Sequence, residues 1–197
     1  MQYLEHTWSN NLTDLSPRHL ENAVEVVILG RNYDIPAVLK RAFYELLRTS
    51  GLGHADNYGR VDKTGNDYRH LMDPDDIGRL IRTREKLCEA WLETLRSACA
   101  FPCPNAGKDG DASGQAAPNA ITCPSNVQKI AGWHELVYAS GLEHEYMYDV
   151  LCGLKVLVDR DWKAEDGYCD NCSKMRRDAW EKQRVKLWKN LDLWLDL

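Results

Sequence analysis

Apolar side chains recur three and four residues apart in each long segment of this chain, and no stretch alternates convincingly with period two. That regularity confines the fold to packed helices. Leu20, Val24, Val27 and Ile28 set the spacing over about residues 17–31, with Gly30 placed as a terminator. Asp34 is expected to cap a second helix with Pro36 in its first turn. Val38, Leu39, Ala42, Phe43, Leu46 and Leu47 form its apolar side, and Thr49-Ser50-Gly51 ends it. A polar stretch over about 51–70 reads as a loop.

Asp73 and Pro74 suit the cap and first position of a long helix, and Asp75 and Asp76 favour the positive end of its dipole. Its stripe runs through Ile77, Leu80, Ile81, Cys88, Trp91, Leu92 and Leu95 and stops at Phe101-Pro102. Residues 104–122 are small and polar, cannot offset their ordering entropy by burial, and are expected to be mobile. A further helix carries Val127, Ile130, Trp133, Leu136 and Val137 as far as Gly141; another runs from about Tyr146 to Val158. The last is expected to start just after Cys172, with Trp180, Leu187, Trp188, Leu191, Trp194 and Leu195 on its packing side. The expectation is an all-α protein, an irregular bundle of about six helices. It divides into a helical segment over 1–50, a loop over 51–72 and a helical module over 73–197.

A charged fraction of 28% beside 44% hydrophobic residues is ordinary for a globular protein, and a net charge of −5 gives no reason to expect general nucleic-acid binding. The first residues, Met1 to Trp8, have neither the basic nor the apolar region of a signal peptide, and the longest apolar runs are broken by Glu25, Lys155 or Asp159. An odd count of 7 cysteines then points to a reducing compartment, cytoplasm or nucleus, where thiols bind metal or stay buried.

The sharpest chemistry is Cys169-Asp170-Asn171-Cys172. Two thiols at C-x2-C spacing can turn toward one ion and leave two tetrahedral positions for other ligands, so a structural zinc ion is expected. Cys103 and Cys123, which bracket the polar segment, can supply them; Cys99 with Cys103 has an equally acceptable C-x3-C spacing. Cys88 and Cys152 lie among large apolar residues and read as core. With no strand before it, the C-x2-C pair lacks a thioredoxin-like context.

Other chemistry is thin. His134-Glu135 and His144-Glu145 each begin like a zinc-protease helix but lack a second histidine four residues after the first. Gly51-Leu52-Gly53 lacks the third glycine and the strand of a dinucleotide site. The acids Glu143 and Glu145, and the group Asp73, Asp75 and Asp76, read as solvated or capping charges. No constellation joins a reactive group to its partner, so an enzyme is not expected. Lys174, Arg176, Arg177, Lys182, Arg184, Lys186 and Lys189 outnumber Asp178 and Glu181 along the last helix, which keeps a nucleic-acid-associated regulator as the alternative reading.

Two stretches resemble a known family. Residues 23–46, Ala-Val-Glu-Val-Val-Ile-Leu-Gly-Arg-Asn-Tyr-Asp-Ile-Pro-Ala-Val-Leu-Lys-Arg-Ala-Phe-Tyr-Glu-Leu, look like the last helices of a BTB/POZ domain, closest to the BTB-domain proteins of mushroom-forming fungi. Gly167-Tyr168-Cys169-Asp170-Asn171-Cys172 through Trp180 and Leu187-Trp188 is similar to the tail of those proteins. The resemblance implies a four-cysteine site of Cys103, Cys123, Cys169 and Cys172. The strands and early helices that form the BTB dimer and partner surfaces have no counterpart here, so cullin binding and BTB-type dimerisation do not carry over. The expectation is a non-enzymatic adaptor or protein-interaction module whose partner is another protein and not a membrane, held together by zinc.

Overall fold

The computed structural model describes residues 7–16, 18, 20–49, 72–97, 103 and 123–197. Among them, after a 3-10 turn at Leu12–Asp14, come α1 (Ala23–Asn32), α2 (Pro36–Arg48), α3 (Pro74–Ser97), α4 (Asn126–His134), α5 (Leu142–Glu145), α6 (Val150–Asp159) and α7 (Asp170–Leu195). No strand forms among the described residues. The all-α expectation holds, with the one-turn α5 as the piece that periodicity could not show. The loop expected at 51–70, the segment at 104–122, the stop at Phe101-Pro102, and Cys99 lie outside the described residues.

α2 is the axis of the bundle. All its residues from Val38 to Arg48 are buried, including Lys40, Arg41, Glu45 and Arg48. α1 folds back along it at Gly30, where an added Cβ would sit 2.5 Å from Leu39 Cδ2. Gly30 is therefore a close-approach position inside α1, which continues to Asn32, and not the terminator that its place near the end suggested. Asp34 does not cap α2 either. It takes a left-handed conformation (φ 52°) in the tight turn between the helices, and Ile35 occupies the cap position. Asp73 does cap α3, its Oδ1 accepting from the Asp75 N–H at 2.8 Å.

α7 closes the bundle against α6, α3 and α2. Leu187, Leu191 and Leu195 bury one stripe, while Trp188 meets the Tyr44 ring edge-on at 5.9 Å. α6 lies close to α3 because Gly153 leaves room for Trp91; a Cβ there would be 2.9 Å from the indole and 2.6 Å from Tyr146 Cβ. α6 begins at Val150, four residues later than expected. Asp149, just before it, accepts from Arg48 Nη2 at 2.6 Å and from Tyr44 Oη at 2.9 Å. Glu45 in turn takes Arg41 and Arg48, each at 2.9 Å. Burial costs each of these charges several kcal/mol, so they are tolerable only as a completed network.

Candidate metal centre

α7 begins at Asp170, earlier than the expected start after Cys172, and that shift creates the site's geometry. Cys169 becomes the N-cap, with no side-chain hydrogen bond to the helix, and Cys172 the third helical residue, which places both thiols at the first turn of α7. The segment before them is a built turn. Asp161 Oδ1 accepts from the N–H groups of Lys163 and Ala164 at 3.2 and 3.1 Å, Arg160 grips Asp166 at 2.8 Å, and Gly167 supplies the positive φ of 69° that releases the chain toward Tyr168.

Cys123 arrives from the other side. After Pro124, Ser125 caps α4 in a reciprocal box: its Oγ accepts from the Gln128 N–H at 3.3 Å, and Gln128 Oε1 accepts from the Ser125 N–H at 2.9 Å. Sequence reading missed this box because Ser-x-x-Gln was overshadowed by the neighbouring cysteine. α4 continues through a π-helical turn at Glu135–Ala139, and Gly141 ends it with φ 82°.

The structure brings Cys103, Cys123, Cys169 and Cys172 together, with all four sulfurs within 4.8 Å of one another. Cys103 Sγ and Cys169 Sγ are 3.8 Å apart. That is nearly twice the ~2.05 Å of a disulfide. It does match the edge of a tetrahedron whose metal–sulfur bonds are about 2.3 Å, which is roughly 3.8 Å. Spacing on this scale suits a single ion. The donor set of soft sulfurs selects a thiophilic metal over calcium or magnesium.

Without an ion the corner is costly. Burial, reinforced by hydrogen bonding with the Cys103 and Cys169 thiols, pushes the Cys172 thiol well above its ordinary range. A metal reverses that preference, because a coordinating thiol is deprotonated outright. Beneath the corner lies an aromatic box. Trp133, Trp162 and Trp180 form a triangle of rings, with centroids 6.2 Å (Trp133–Trp162), 6.0 Å (Trp133–Trp180) and 5.0 Å (Trp162–Trp180) apart, and Tyr168 stands edge-on to Trp162 at 5.7 Å. The buried Arg176 guanidinium packs over Tyr168, Trp162 and Trp180 at 4.6, 5.5 and 5.9 Å. Lys129 is also buried, its ammonium 5.6 Å from the Tyr168 ring and making no hydrogen bond among the described residues. Neither Trp162 nor Lys129 stood out in the sequence; the dense tryptophan content was the only available signal.

A cleft of about 560 Å³ separates one face of α4 from the Trp162–Tyr168 turn. α4 is therefore held mainly at its ends. Cys123 enters the corner, and Trp133 joins the box while donating from Nε1 to Leu95 O at 2.8 Å.

The remaining candidates scatter. Cys152 is buried and Cys88 half-buried, its Sγ 3.3 Å from Met147 O, so both serve packing. His134 rests exposed against Tyr138 at 4.9 Å, and His144 is exposed. Asp76 is held by Arg31 and Arg79, each at 2.9 Å. Of the basic residues on α7, three are drawn inward. Arg176 enters the box, Arg177 donates to Arg160 O at 3.0 Å, and Arg184 donates to Leu151 O and Leu12 O at 3.1 and 3.0 Å. Lys174, Lys182, Lys186 and Lys189 are left in solvent. No helix among the described residues is long and apolar enough to cross a membrane.

Comparison with family models, with curated proteins and with solved structures returned no match to this chain.

Proposed function

We propose that the chain is a non-enzymatic interaction module whose fold is fastened by one structural zinc ion on Cys103, Cys123, Cys169 and Cys172. The observation that carries this reading is the mutual approach of the four sulfurs, all within 4.8 Å. Four thiolates saturate a tetrahedral ion and leave no position for water or substrate, which is the pattern of structural sites. A divalent ion with four thiolates has a net charge of −2, and Lys129 and Arg176 bring buried positive charge beside Cys169 through their shared contact with Tyr168. Metal binding would then be folding energy, because it joins the start of α7 to the start of α4.

Function lies in surface recognition of another protein. Val127 and Ile130 stand on α4 at 76% and 53% exposure, and Tyr138 lies beyond them on the same helical run. The resemblance to the tail of BTB-domain proteins is consistent with an adaptor role. The inward-turned arginines of α7 weigh against the nucleic-acid reading, since they are committed to the fold.

The test is affinity enrichment from cell extract with metal-replete protein, with chelated protein, and with Val127→Asp/Ile130→Asp, each followed by measured binding of any recovered protein. A protein that binds the replete chain directly and is lost on chelation supports the reading. Retention of DNA or RNA with a steep salt dependence would replace it with the alternative.

A further inference from the structure

We propose that the thiol corner is an oxidation site: a hydroperoxide-class oxidant links Cys103 to Cys169 and expels the metal. The inference rests on the metal reading above and adds which edge of the tetrahedron breaks. Two observations point to that edge, and Cys172, also hydrogen-bonded to Cys103, is the rival partner that the cross-link map distinguishes. Cys103 is the half-buried member of the four, whereas Cys123, Cys169 and Cys172 are 4%, 6% and 2% exposed, so an oxidant meets Cys103 first. Its sulfur already lies 3.8 Å from that of Cys169, and closing to ~2.05 Å makes a disulfide. Cys103 belongs to no helix, while Cys169 and Cys172 are fixed by the first turn of α7; Cys103 is the partner that moves.

The step balances with peroxide as the sole oxidant. The metal-bound Cys103 thiolate attacks one peroxide oxygen, the O–O bond breaks, and Cys103 carries a sulfenic acid as hydroxide leaves. The Cys169 thiolate then attacks the Cys103 sulfur. The S–S bond forms, the S–O bond breaks, and a second hydroxide departs. Two electrons have passed from two sulfurs to the peroxide, and two protons from solvent convert the hydroxides to water. Cys123 and Cys172 remain as a two-thiolate remnant, release the ion and take up protons. α4 then loses the anchor at its start and is left held by Trp133, with the cleft beneath it free to widen.

Cys88 is the internal control. It is half-buried like Cys103, but burial pushes its thiol above the ordinary value, and its sulfur lies against Met147 O. It stays a thiol and reacts slowly.

The experiment treats the metal-loaded full chain with hydrogen peroxide, follows zinc with a chromophoric indicator, and maps cross-links after trypsin. Residues 97–108 and 164–174 fall in two tryptic peptides, within which fragment ions distinguish Cys99 from Cys103 and Cys169 from Cys172. The expected result is zinc release in step with a Cys103–Cys169 bond, at a rate that Cys88→Ala leaves unchanged. A Cys169–Cys172 or Cys99 linkage appearing first, or zinc release without a disulfide, overturns the proposal. Elemental analysis before peroxide separates the two readings. A chain that purifies without metal fails the zinc assignment, and expulsion of metal fails with it. A loaded chain that forms another bond fails only this inference.

Discussion

Two regions of the molecule bury polar chemistry in opposite ways. Around α2, Arg41, Glu45, Arg48, Tyr44 and Asp149 pair with one another through contacts of 2.6–2.9 Å that leave Arg48 Nε without a hydrogen bond among the described residues, and the Leu151 N–H adds a bond to Tyr44 Oη at 3.0 Å. At the start of α7, four thiols press together with burial raising the pKa of one of them, and the buried cations Lys129 and Arg176, both packed on the Tyr168 ring, bring two positive charges against the four negative that four thiolates would carry. The first region is met largely by its own side chains; the second, on the zinc reading proposed above, would be met by an ion. The difference teaches that a buried polar cluster is best judged by what it still needs. A completed network serves stability, and an incomplete one points outside the chain.

That contrast can be broken in order of size. The largest effect belongs to Cys172→Ser or chelation. Structural zinc supplies on the order of 10 kcal/mol in small domains, so the corner should unfold locally and α4 detach, seen as lost amide protection over 123–139 with the α2 core still protected. Next is Asp149→Ala, which leaves Tyr44 without its acceptor and Arg48 with only Glu45 and Ser16 O, and should cost about 1–3 kcal/mol of unfolding free energy in denaturant titration. Its cost should be the same with and without chelator, since α2 and the corner share no member. Gly153→Ala follows, at about 1–3 kcal/mol, because the new methyl group meets Trp91 and Tyr146 at under 3 Å. Smallest is Lys163→Ala, whose pair with Asp170 lies in solvent, so its denaturant titration should superimpose on that of the parent chain.

pH sharpens the same comparison. Burial, with Asp149 nearby, raises Cys152 from 9.0 to about 12. The unfolded chain therefore ionises this thiol before the folded one does. Its contribution to stability is complete below pH 9 and is lost as pH rises toward 12. The corner responds at the other end: falling pH returns protons to thiolates and drives metal off. Thermal melts across pH should show core loss on the alkaline side and chelator-like loss on the acid side.

Much of the fold was legible because each packing stripe repeats at helical spacing, and those stripes became α1, α2, α3, α6 and α7. The burial of α2 on all sides was not. A sequence shows the charges of Lys40, Arg41, Glu45 and Arg48 but not the partners that make their burial tolerable. Cys169 and Cys172 were legible from spacing alone. Spacing left Cys99 and Cys123 as rivals beside Cys103, because only the path of the chain decides which distant sulfur comes near. The aromatic box was hidden for the same reason, with Trp133, Trp162 and Trp180 lying on three separate elements.

The most direct test of the central claim is X-ray absorption at the zinc edge on protein purified without added metal, together with metal stoichiometry. The account predicts one zinc per chain with four sulfur neighbours at about 2.3 Å. No bound zinc, or a shell containing nitrogen or oxygen donors, would contradict it.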